Sequence, residues 1–246
     1  MAAVWKLFGE LLEETDKTGQ KVPVRQMLDA LKRAPFGLRE GPGPLLLSHY
    51  LLVHSDEVAV YEDNVFKPFL GDAEITLLMR RPELFSLRYY KPSGVRSEVI
   101  RTYYQVINTE LKLARQVRNQ TLLSVVVPLT EFIKSLPEYT RTTRALSANA
   151  LRLRNAIANA RDPQQLLFQD LPVALGFSPV EYNDGDQSQI SDATGLRKAL
   201  WSALTELRDA FDMFVKKIRG HFVLAMTEPP TELRSFERLR QDHVRA

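Results

Sequence analysis

The chain has 246 residues, 44% hydrophobic and 26% charged, with a formal net charge of +3, the composition of a folded globular protein and not of a disordered or fibrous one. It contains no cysteine, which excludes a disulfide framework, thiol catalysis and cysteine-ligated zinc. Its longest apolar runs, 122–129 and 44–53, are too short to span a bilayer, and MAAVWKLFGELLEET puts acids where a secretory signal needs an apolar stretch.

In chain order, Val4, Leu7, Phe8, Leu11 and Leu12 share one face of a helix over 4–14, which a polar loop at 15–21 ends. Pro23 precedes a second helix running to about Arg33, with Val24, Met27, Leu28 and Leu31 inward, and Pro35 and Gly37 stop it. Pro44 opens a third, 45–54, apolar nearly all round and therefore expected to be buried. Residues 57–61 and 65–69 read as a hairpin joined through Glu62-Asp63-Asn64, with Pro68 demoting the second strand to an edge. A short helix over 72–81 ends at Pro82, and 85–90 adds a third strand.

From Ser93 onward the pattern is helical. Ile100, Tyr104, Ile107, Leu111 and Ala114 recur at helical spacing, and Pro128 should kink or divide a helix over 122–136. Residues 147–160 and 164–175 follow, the latter broken by Pro172 and closed by Gly176. NDGDQSQ at 183–189 reads as a polar hinge loop, with Ser191 or Asp192 capping the next helix. That helix, 195–219, carries Leu196, Leu200, Leu204, Leu207, Phe211, Phe214 and Ile218 in one stripe, and Gly220 is placed to terminate it. Residues 231–245 are charge-rich. The fold expected is mainly α: a winged-helix-like α/β unit with a small hairpin over 1–92, then a multi-helix bundle over 93–246.

Catalytic signatures are missing. No G-x-x-x-x-G-K-[ST] occurs, and in Gly41-Pro42-Gly43-Pro44 two prolines remove the amides a phosphate would need. His49 and His54 diverge by roughly 140° on one helix, and His49 reads as a partly buried core residue. Asp184, Asp186 and Asp192 lack the glycine and bidentate glutamate of a calcium loop. No G-x-S-x-G or S-x-x-K appears. The sequence therefore points to no enzyme, no metal and no cofactor.

Charge is unevenly placed. Residues 80–161 hold 15 Lys/Arg against 5 Asp/Glu, between flanks that are net acidic. Arg101, Lys112 and Arg115 fall within about 60° on one helix, and Arg141, Arg144, Arg152 and Arg154 extend that surface. This is a candidate polyanion face, with nucleic acid contacted through 96–161 and Tyr89, Tyr90, Tyr103 and Tyr104 nearby for stacking. The alternatives are neutralisation by the acidic flanks on folding, and tyrosines that belong to the core. Helix, turn, helix and hairpin over 24–70 follow winged-helix order. Yet the second helix offers LLLSHYLLVH instead of base-reading cations, and the hairpin tip is acidic, so this unit is expected to pack against protein.

The wording APFGLREGPGPLLLSHYLL…DEVAVYEDNVFKPFL…LLMRRPELFSL resembles a segment of very large bacterial P-loop ATPases associated with phage exclusion. VVVPLTEFIKSLPEYTRTTRALSANALRLRNAIANARDPQQLLFQDLPVALGF looks like the helical region that follows it there. The two patches cover most of 24–177. The resemblance implies a C-terminal part or separate subunit that regulates or transmits while a neighbouring motor hydrolyses ATP, with no catalytic residue carried over. The start inside a helix and the charged finish fit a piece of something longer. The expected partner is a protein or the remainder of such an ATPase, in the cytoplasm and away from membranes.

Overall fold

The computed structural model describes residues 2–39, 41–90, 94–111, 121–180 and 192–227. The chain is mainly helical, with a four-stranded antiparallel sheet towards its N-terminus and a helical bundle after it. Helix α1 (Ala2–Thr18) buries Val4, Phe8 and Leu12, and runs past the expected stop at Glu14. The reason is Thr15, which is buried in the core. Its Oγ1 donates to the Leu12 carbonyl at 2.6 Å and accepts the Tyr89 amide at 2.9 Å. Gly19 then closes the helix in the left-handed region at φ +70°, which glycine adopts without a Cβ penalty.

Strand β1 (Val22–Pro23) leads into α2 (Val24–Lys32), whose inward face is Val24, Met27, Leu28 and Leu31, as the spacing predicts. Helix α3 (Pro42–Val53) corrects the expectation of burial all round. Gly43, Leu47, Ser48, Tyr50 and Leu51 face inward, but Leu45 and Leu52 are 62% and 50% exposed. Among the described residues, neighbours cover it on one side only. Tyr50 meets the rings of Trp5 and Phe8 edge-on, and a side chain at Gly43 would press on Leu28.

Strands β2 (Val58–Glu62) and β3 (Val65–Lys67) form the expected hairpin, with Glu62 opposite Val65. Asp63 and Asn64 take φ of +48° and +65°, the two positive values of a hairpin turn matched to strand twist. Helix α4 (Asp72–Arg80) and a 3₁₀ turn (Pro82–Leu84) lead to β4 (Phe85–Tyr89). The sheet order is β1-β4-β2-β3, so the hairpin's first strand is central and β3 is the edge. That edge is blunted: the Phe66 amide donates to the Arg161 carbonyl at 3.2 Å, and Pro68 has no amide to offer.

β2 is apolar almost throughout because both of its faces are covered. Val58 and Val60 join one core with Phe8, Leu12, Met27, Leu47 and Leu87. Ala59 and Tyr61 join the other, with Phe66, Tyr90 and the bundle. Successive side chains of a strand point to opposite sides, so one strand serves two cores.

The bundle comprises α5 (Gly94–Leu111), α6 (Leu123–Ser135), α7 (Glu138–Thr142), α8 (Ala148–Ala158), α9 (Pro163–Gln165), α10 (Leu171–Ala174) and α11 (Ala193–Thr227). Pro128 lies inside α6 without dividing it. Pro172 does not break its segment either, because a π-helical stretch (Leu166–Asp170) joins α9 to α10. The Phe168 carbonyl, which a proline at 172 cannot serve, instead accepts the Val180 amide at 2.8 Å. Asp192 caps α11 through the Gly195 amide at 2.7 Å. Helix α11 continues through Gly220, so the expected stop there is overturned, at the modest cost of one helical glycine. The loop read at 183–189 and the segment at 231–245 lie outside the described residues.

Candidate functional site

Where the sheet meets the bundle, a polar cluster is enclosed between the two cores. It begins on the bundle-facing side of the sheet, where β2 presents Tyr61 and β4 presents Arg88, with Tyr90 just beyond. The Tyr61 hydroxyl lies 2.9 Å from the Tyr90 hydroxyl and donates to Asp162 Oδ2 at 2.9 Å. Asp162 is the N-cap of α9, its Oδ1 accepting the amides of Gln164 and Gln165 at 2.9 and 3.1 Å. Arg88 donates through Nη2 to Gln164 Oε1 at 3.0 Å, and its Nη1 stands 3.8 Å from Asp162 Oδ2. Lys21 lies over the Tyr61 ring, its Nζ 3.6 Å from the centroid, and the Arg88 guanidinium is 4.8 Å from the Tyr90 centroid.

Electrostatics follow from this crowding. Burial pushes the Tyr61 phenol far above its usual range, and nearby Tyr90 and Asp162 push the same way. Burial also raises Tyr90, to about 12, with Asp162 adding to the shift and Arg88 opposing it. Burial lowers Lys21; Asp162 works against that shift and Arg88 reinforces it. Two cations thus share one carboxylate, and Arg88 Nε is buried without a hydrogen-bond partner among the described residues. The phenols stay protonated donors at neutral pH. The arrangement ties β2 and β4 of the sheet to the N-terminus of α9 in the bundle.

Further ties run alongside. The Thr121 hydroxyl donates to the Asp56 carbonyl, and the Arg161 carbonyl holds the β3 edge. Sequence reasoning does not single out Lys21, Tyr61, Arg88 or Asp162 as a group. The readable signals are Asp162-Pro163, an N-cap followed by a helix-opening proline, and an arginine set between Leu87 and Tyr89 of a strand.

The candidate polyanion residues are placed as follows. Lys112 and Arg115 lie outside the described residues, as does the side chain of Arg101. Arg141 and Arg144 are exposed around the end of α7. Arg152 is turned to the Ala174 carbonyl at 2.9 Å and to Asn149 Oδ1 at 2.7 Å. Arg154 is buried, and its Nη1 donates to the carbonyls of Thr140 and Thr143 at 2.7 and 2.8 Å. Its charge is taken up by the end of α7, not offered to a polyanion. Tyr103 is buried with its hydroxyl on the Leu167 carbonyl, and Tyr90 is buried in the junction, so neither is free to stack on a base.

His49 corrects another expectation: it is exposed and set against Trp5, with ring centroids 5.5 Å apart. His54 is held by Glu57 at 3.1 Å and stacks on Tyr50 at 4.3 Å. Among the described residues, no group of three His, Asp or Glu side chains is placed to hold a metal ion. No described helix is long and apolar enough to cross a membrane. The outward face of α3 presents Leu45 and Leu52 with the exposed His49 between them, and the adjoining hollow combines Leu52, Phe69, Leu70, Leu123 and Val127 with Ser55 and Lys67. No family model, curated protein or solved structure matches the chain.

Proposed function

We propose that the chain is a non-catalytic interaction and regulatory module, a part or subunit of a bacterial phage-defence-type ATPase. The observation that carries this reading is α3. In winged-helix order this is the position of a base-reading helix, yet its inward face is Leu47, Tyr50 and Leu51 and its outward face presents Leu45 and Leu52 around His49, with no lysine or arginine. An apolar helix gains nothing from phosphates but gains contact area from protein. The junction supports a transmitting role, because Asp162 bonds the sheet to the bundle and a force on one unit reaches the other through it. The resemblance over 24–177 supplies the class of partner.

The test begins with the reading frames that flank the gene and proceeds to reconstitution with any P-loop ATPase encoded there; flanking frames without a phosphate-binding loop overturn the proposal. Co-elution of the two proteins, with a changed rate of ATP hydrolysis, is the expected result. Separate elution with an unchanged rate overturns the proposal. Filter binding of a DNA duplex across a salt series, on the same preparation, tests the nucleic-acid reading: a steep loss of affinity with salt, weakened by Arg141→Glu and Arg144→Glu, favours it instead.

A further inference from the structure

Along α1, Trp5, Gly9, Glu13 and Asp16 follow at steps of four and three, within about 80° of one another around the helix. Tyr50 of α3 lies against this stripe. Its ring meets Trp5 edge-on at 5.5 Å, and its hydroxyl stands 3.9 Å from where a Cβ on Gly9 would sit. The phenol therefore points along α1 towards Glu13, one turn beyond Gly9. Tyr50 is only 5% exposed, yet its hydroxyl makes no hydrogen bond among the described residues.

Carboxylates gather at that end. Glu13 and Asp16 are exposed and form no ion pair among the described residues, with Lys17 or any other cation. Glu57 approaches from α3, held at 3.1 Å by His54, which itself stacks on the Tyr50 ring. Strand alternation puts Tyr89 on the α1 side of the sheet, with Leu87, and Arg88 on the other. The Tyr89 amide is fixed there by Thr15 of α1 at 2.9 Å. The electrostatics agree. After burial, Glu57, Tyr89 and Glu13 raise Tyr50, and Glu57, Glu13, Asp16 and Asp56 raise Tyr89.

Phenol oxygens with free lone pairs beside carboxylates suit a hydrogen-bond donor that carries positive charge. No three His, Asp or Glu side chains among the described residues are placed for a metal ion, so the fitting cation is an ammonium or a guanidinium. Trp5 indicates its source. Its ring is 5.5 Å from both Tyr50 and the exposed His49, so it links the acidic end to the outward face of α3, where Leu45 and Leu52 stand. A long basic side chain can lay its apolar stem on Trp5 while its neighbours cover those leucines. A free polyamine has nothing to place on them.

We infer that Tyr50, Glu13 and Asp16 receive the ammonium or guanidinium of a lysine or arginine on a protein partner docked against α3. This rests on the reading of α3 as a protein-docking face and adds the chemistry of the partner.

The test uses the full chain carrying Trp201→Phe, which leaves Trp5 as the one tryptophan of two. The probe is a short acetylated peptide of lysines flanked by leucines. Its addition is expected to change Trp5 emission, and less so as salt rises. Tyr50→Phe should weaken binding about tenfold, and Glu13→Gln with Asp16→Asn about fivefold. Glu14→Gln, the same loss of charge on another face of α1, should leave binding unchanged. All variants should keep the parent melting curve, because the hydroxyl has no partner to lose and the acids are exposed. No response at about 1 mM peptide, equal binding of a glutamine-for-lysine peptide, binding indifferent to Tyr50→Phe and Glu13→Gln, or tighter binding of spermine each overturns the inference. Leu45→Asp separates it from the reading beneath it. Peptide binding that ignores Leu45→Asp but not Tyr50→Phe upholds the cation site and removes α3 from the docking face.

Discussion

Tyr61 donates its phenolic hydrogen to Oδ2 of Asp162 across 2.9 Å, joining positions 101 residues apart. The same carboxylate caps α9 through two backbone amides. Removing only the phenol therefore costs less than removing the acid. Tyr61→Phe is expected to lower stability by about 1 kcal/mol, and Asp162→Ala by about 2–4 kcal/mol, since it also uncaps the helix and leaves Lys21 and Arg88 without their counter-charge. Urea unfolding of both variants and of the pair measures this. Equal costs for the two single variants would detach the tie from the cap.

Alkaline pH should loosen the junction. In the junction Tyr90 is raised to about 12 and Tyr61 further still, and Tyr50 in the other core is also raised to about 12, in each case chiefly by burial. A phenol whose folded value lies above its unfolded value near 10 contributes stability that is fully present below pH 10 and lost as pH rises beyond it. Lys21 has the opposite sign: its folded value is lowered, so its burial penalty is relieved as pH approaches 10.5. Tyrosinate absorbance at 295 nm should thus stop short of the amplitude for all eight tyrosines at pH 11 and reach it only in denaturant. Full amplitude at pH 11 with the fold intact would count against the enclosed junction.

The orientation of α3 is checked by two leucines two residues apart. Leu47 is fully buried and Leu45 is 62% exposed. Leu47→Ala should cost about 2–5 kcal/mol, the range for a buried leucine, and Leu45→Lys less than about 0.5 kcal/mol. Denaturation midpoints decide the matter. Reversed sensitivities would mean that the helix faces the other way.

Arg154 and its exposed neighbours should also separate. Arg154→Met removes two charge-assisted hydrogen bonds to the carbonyls of Thr140 and Thr143, for an expected loss of about 2–3 kcal/mol. Arg141→Glu and Arg144→Glu should leave stability within about 0.5 kcal/mol. Calorimetric melting of the three variants gives the comparison.

Much of the local structure was legible from residue order. The inward face of α2, the hairpin with its Asp63-Asn64 turn, the strand at 85–89 and the Asp192 cap follow from spacing and turn chemistry within a few residues. The misreadings have a common cause. Thr15 extends α1 because its hydroxyl meets the Tyr89 amide, 74 positions away. Pro172 is tolerated because Val180 serves the orphaned Phe168 carbonyl. Leu45 and Leu52 are exposed because no element among the described residues covers that side of α3.

The sequence by itself determined a helical, cysteine-free chain with one small hairpin and no catalytic motif, since periodicity and turn preference act over neighbouring residues. Only the tertiary structure decided that β2 lies between two cores, that Arg154 points inward, and that Lys21, Tyr61, Arg88 and Asp162 converge. Whether a side chain is buried, and what it bonds, depends on segments far along the chain. Their approach is set by the packing of the whole, which no local pattern records.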